Sequence, residues 1–148
     1  MFRPLAFLVV LALLPSAALA DSHLVRVEAA GGVAEAADRL EAAVAGAGAT
    51  VFARVDHGAG AASVDMELGD AELIVFGNPR LGTPVLQADI RAGLVLPLRV
   101  LVHDDGGQTV FLYEDPAAML ERYDVPADLE AVATMTAALG NLTEAAAN

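Results

Sequence analysis

Three histidines are the side chains of this chain best suited to proton transfer or metal ligation near neutral pH. His57 follows Asp56 at the end of a strand-like run, where a side chain can face a cleft. It reads as a general base, a metal ligand or a donor to a bound anion, and equally as a residue that caps the next turn. His103 precedes Asp104-Asp105, and a histidine beside carboxylates could hold Zn²⁺ or Cu²⁺. Turns rich in Asp and Gly, however, carry those residues for backbone reasons and project them into water. His23 stands third in Asp21-Ser22-His23, which with a free amino terminus at Asp21 would chelate Cu²⁺ or Ni²⁺.

A second group of candidates lies at strand ends. Phe76-Gly77-Asn78-Pro79 closes an apolar run with a tight turn: Gly77 admits close backbone approach, Asn78 can bond the local backbone, and Pro79 fixes φ. It reads as a ligand-binding turn or as turn chemistry alone. Glu114 would form an acid–base pair with His57 if their strands align, whereas Asp115 is better explained as a helix cap. Arg54 and Arg99 sit within strands, where a charge must reach solvent or find a partner, so either is a candidate for an anion or for a carboxylate across a subunit interface. There is no cysteine, which excludes thiol redox chemistry, disulfides and thiolate metal sites. Gly77 to Gly82 lacks the spacing, Lys and Ser/Thr of a phosphate-binding loop. No cofactor is expected.

The elements that must position these residues follow from periodicity. His23–Glu28 and Thr50–Asp56 read as strands. Between them, Val33, Ala36, Ala37, Leu40, Val44 and Ala47 recur at helical spacing, with Asp38 and Glu41 as ordinary solvated positions. Gly58 to Asp65 is compatible with a loop or one or two helical turns. Glu72–Phe76 is a third strand, and Thr83–Ala92 a short helix with Pro84 in its first turn. Leu98–His103 and Thr109–Tyr113 flank Asp104-Asp105-Gly106-Gly107 as a hairpin. Asp115-Pro116 starts a helix running to Tyr123, and Leu129, Val132, Met135, Leu139 and Leu142 mark a long final helix. This order predicts an α+β domain: a two-layer sandwich of a mixed or mainly antiparallel sheet of about five strands with helices packed on one face.

Residues 1–20 read as a signal peptide: Arg3, an apolar run Leu5–Leu14, a break at Pro15-Ser16, and Ala18-Leu19-Ala20 before Asp21. The run falls short of the ~20 residues that span a bilayer. Residues 21–148 then form a single domain with no membrane span, and a periplasmic or secreted location follows from the leader. All the basic residues are Arg, and the formal charge is −12. A field of that sign repels nucleic acid and anionic lipid, and leaves metal ions and basic proteins as partners.

Four blocks carry a family resemblance: Val51 to His57 ("VFARVDH"), Leu73 to Thr83 ("LIVFGNPRLGT"), Leu94 to Val102 ("LVLPLRVLV") and Tyr113 to Tyr123 ("YEDPAAMLERY"). With the terminal amphipathic helix they resemble the bacterial domain of unknown function 302. The resemblance implies a compact α+β domain, often dimeric, found alone or attached to other modules in cytoplasmic and exported forms. It implies no activity. Some members carry cysteine, so a thiol-based role does not transfer to this chain. The expectation is a non-enzymatic binding or accessory module of the cell envelope, acting as a homodimer or with an envelope protein partner. The alternative is a metal- or small-ligand-binding protein or enzyme with a site near His57 and the Phe76–Pro79 turn.

Overall fold

A computed structural model describes residues 23–148. The expected leader, and Asp21-Ser22 of the N-terminal chelate, lie outside the described residues. The strands are β1 (Leu24–Glu28), β2 (Thr50–Asp56), β3 (Ala71–Gly77), β4 (Leu98–Asp104) and β5 (Thr109–Glu114). They form one sheet in the order β1-β5-β4-β3-β2, and every neighbouring pair is antiparallel. The helices are α1 (Val33–Gly46), α2 (His57–Ala62), α3 (Pro79–Ala88), α4 (Pro116–Leu120) and α5 (Glu130–Ala146), with a 3-10 turn at Ile90–Leu94. The α+β two-layer architecture expected from the sequence is the one observed.

Strand alternation sorts the residues to two faces. Ile74 and Phe76 of β3, Val100 and Val102 of β4, and Phe111 of β5 point to the helical layer and are buried. There they meet Ala36, Ala37, Leu40 and Val44 of α1 and Val132, Met135 and Leu139 of α5 in one core. The small alanine face of α1 lets that helix lie close across β2 to β5. The opposite face carries Val55, Leu73, Val75, Leu101 and Leu112, none of which belongs to the core formed with the helices.

Local chemistry accounts for most of the boundaries. Asp115 accepts a hydrogen bond from the Ala118 N–H (3.0 Å), and Pro116 occupies the first position of α4. Gly106 and Gly107 supply the positive φ of the β4–β5 hairpin. One expected helix moves. The helix read from Thr83 to Ala92 starts instead at Pro79, because Asn78 caps it by accepting from the Arg80 N–H (2.9 Å). The Gly77-Asn78-Pro79 string is therefore a strand end and a helix start at once, and Pro84 lies inside the helix. The undecided Gly58–Asp65 stretch is helical up to Ala62, capped by Asp56 through the Ala59 N–H (2.7 Å).

Asp38 and Glu41 are not idle solvated positions. Both reach Arg54, whose guanidinium also donates to the nearly buried Glu72. The bonds to Glu72 and then Asp38 push the Arg54 pKa above its already high ordinary value. Behind α3, Asp89 accepts from the backbone and guanidinium of Arg91 and from the Asp124 N–H. The Arg91 guanidinium holds the Asp89 carboxyl well below the usual carboxylate range. This clasp fixes the segment that leads into Leu96 and Pro97, whose peptide bond is cis.

Candidate functional site

The register of β2 and β3 decides which candidates can meet. Thr50 pairs with Gly77 and Asp56 with Glu72, so His57 and the Phe76–Pro79 turn stand at opposite ends of the ladder. A single site containing both, as the sequence allowed, does not form. Glu114 is level with Leu24 on β1, and its carboxylate lies 3.8 Å from Arg99 and 3.4 Å from Arg122. That is the Gly77 end of the sheet, so the His57–Glu114 acid–base pair does not form either.

At the Gly77 end the strand termini meet α3 and α5, and between them lies a cavity of ≈ 230 Å³. Phe52, Leu81, Leu86, Leu96, Pro97 and Met135 supply its apolar walls, and Gly77, Asn78 and Pro79 form part of its rim. Of the four residues of the turn, Phe76 alone turns away into the core, where it is 2% exposed. Phe52 reaches the cavity through a bulge between Val51 and Ala53, which breaks the alternation of β2 and leaves this ring 56% exposed. Gly77 lacks a side chain where a Cβ would stand 3.5 Å from both Phe52 and Pro97.

The opposite end is polar. His57, Asp70, His103 and Asp104 surround a shallow depression floored by Ala71 and Leu101. His57 and His103 thus both line this depression. His103 Nδ1, however, lies 3.0 Å from the Asp104 carbonyl oxygen, and among the described residues no three His, Asp or Glu side chains are grouped to hold a metal ion. His23 lies apart from both, beside Glu114 and Arg122. Arg54, a candidate for a bound anion, is instead committed to three carboxylates of its own chain.

Sequence reasoning reached the Gly77-Asn78-Pro79 rim but missed Phe52, Leu96, Pro97 and Met135. These come from four separate segments. Their one signal in the sequence is an apolar residue at a solvent-phase position of an alternating strand, Phe52.

The antiparallel sheet under one helical layer places the protein among two-layer α+β domains. It superposes on a solved structure, "Crystal structure of uncharacterized conserved protein DUF302 from Bacillus stearothermophilus", with a TM-score of 0.78 and 19% identity, covering 84% of this chain and 98% of that one. The family described as "Domain of unknown function DUF302" matches over residues 25–145, and the chain belongs to it. Curated relatives include "Fluoride-specific ion channel FluC 1" of Brucella suis biovar 1, 41% identical over 90% of this chain and 53% of that protein. A protein of the same name from Brucella abortus biovar 1 is 41% identical over 90% of this chain and 50% of its own length. The chain thus spans about half the length of the curated relatives it matches. No helix among the described residues is long and apolar enough to cross a membrane.

Proposed function

We propose that this protein is a non-enzymatic accessory module of the cell envelope that works as a homodimer, two copies meeting through the uncovered face of the sheet. The observation that carries this reading is the row Leu112, Leu101, Leu73, Val55, which crosses four adjacent strands in register. Val75 and Leu24 flank it, and Leu24 is 42% exposed. Contiguous apolar surface of this kind marks an interaction site. The chain carries a formal charge of −12, which keeps copies apart over most of the surface. On this face the charges balance: Arg26 lies beside Glu28, and Arg99 beside Glu114. A two-fold axis through the row sets apolar against apolar and allows each arginine to meet a carboxylate of the other copy. The envelope location rests on the leader read in residues 1–20. The non-enzymatic reading is supported by the separation of the candidate acid–base residues between the two ends of the sheet.

Native mass spectrometry of the protein recovered from the periplasm tests this. A dimer that becomes a folded monomer in Leu101→Asp is expected; a monomeric wild type, or a dimer indifferent to that change, rules the arrangement out. A second reading is favoured by the relatives named as fluoride-specific ion channels, in which a matching segment forms about half of a longer protein. In that reading the same face docks on a membrane transport protein. It gains ground if the wild type is monomeric and alters fluoride flux through such a channel reconstituted in vesicles.

A further inference from the structure

We infer that the cavity framed by Phe52, Pro97, α3 and Met135 is a binding site for a neutral apolar small molecule of one- or two-ring size. The site stands at the Gly77 end of the sheet, beyond the row of Leu112, Leu101, Leu73 and Val55.

Size comes first. An apolar cavity of about 150 Å³ has room for benzene, and this one, open on the side of Phe52, measures ≈ 230 Å³. Chemistry comes second. No charged side chain lines the space; Arg80, the nearest in sequence, borders a different depression with Pro84 and Leu129. An ion placed there would lose its hydration and gain no partner. Two polar side chains reach the cavity, Asn78 and Thr83. The Asn78 Oδ1 is committed to the Arg80 N–H, whereas the Thr83 hydroxyl makes no hydrogen bond among the described residues. A ligand with one donor or acceptor at its edge can use that hydroxyl, which is the usual pattern of apolar walls with few polar groups.

Placement of the walls is the third argument. A bulge costs ladder hydrogen bonds, and here it turns a large aromatic ring out of the strand alternation to the cavity mouth, where it is 56% exposed. A bound ring would cover that surface and gain an aromatic contact. Around the mouth, Pro79 and Pro97 hold fixed backbone angles, so the frame is set before anything binds. Gly82, on α3, faces open space: a Cβ there meets nothing within 4 Å.

Titration with indole, and with toluene as a probe lacking the N–H, tests the site by calorimetry and by amide chemical shifts. Saturable binding of one molecule per chain is expected, with shifts confined to Phe52, Gly77–Leu86, Leu96–Leu98 and Met135. Gly82→Leu places a side chain into the space and should abolish binding. Phe52→Ala, at an exposed position that folding tolerates, should weaken both probes by about tenfold. Thr83→Val should weaken indole and leave toluene unchanged. Failure of both probes to saturate at millimolar concentration overturns the inference. So does binding that survives both Gly82→Leu and Phe52→Ala. Binding of octanoate in preference to the neutral probes overturns the assignment of ligand class.

Discussion

At one end of the sheet Gly77, Phe52 and Leu98 meet two helices and frame an apolar cavity; at the other, His57, His103 and two aspartates ring a polar depression. The same strands run through both ends. The residue types conventionally associated with chemistry gather at the second, whereas the first is walled by apolar side chains. The difference lies in what backs the strand termini. α3 and α5 pack on each other at the Gly77 end and supply Leu81, Leu86 and Met135 to the walls of the space. The depression at the other end is bordered by α2, a six-residue helix with no buried residue. Site formation in this fold is governed by the second layer more than by the identity of the polar residues.

That contrast can be broken most forcefully at Met135, which is 2% exposed and forms part of the cavity wall. Met135→Ala should lower stability by about 3 kcal/mol, read as a urea midpoint, and should widen the cavity so that naphthalene binds in place of indole. A matched pair of glycine changes sharpens the comparison. Gly58→Ala at the polar end would bring a Cβ to 2.8 Å from the Gly69 carbonyl oxygen, and the enforced shift should cost about 1–2 kcal/mol. Gly82→Ala on α3 meets no atom and should raise stability by up to about 1 kcal/mol, since alanine favours a helix interior over glycine. Thermal melts of the two variants should therefore move in opposite directions. The smallest effect is expected at the polar end itself: His57→Ala and His103→Ala should each stay within about 0.5 kcal/mol of wild type, measured by the same melts.

Elements with a strong local signal were legible in the sequence. α1 and α5 follow the spacing of their apolar residues, and the β4–β5 hairpin follows its paired glycines. Asp115-Pro116 reads as a helix start in the sequence, whereas Asn78-Pro79, the same cap-and-proline pair, reads there only as a strand stop. The reason is physical: Pro84 a few residues on resembles a second start, and the helix tolerates it in its interior. Arg54 and Glu72 are far apart in sequence, so their pairing, and the use of Asp38 and Glu41 to complete it, needed the β2–β3 register. The cavity was half legible. Its rim lies in one contiguous string, but its walls depend on a bulge at Phe52 and on the packing of α5, which no local pattern encodes.

The bulge between Val51 and Ala53 has a further consequence, for aggregation. β2 is an edge strand, and an uninterrupted edge offers a row of unpaired amides and carbonyls on which another molecule's strand can grow. The bulge breaks that row near its start and increases the local twist of the strand. At the other edge, β1 is only five residues long and alternates Arg26 with Glu28 on its outward face. Neither border is a good template for a stacked, fibre-like assembly. The face-to-face association proposed above, in a closed and countable number of copies, is thereby left without a competing route along the sheet edges.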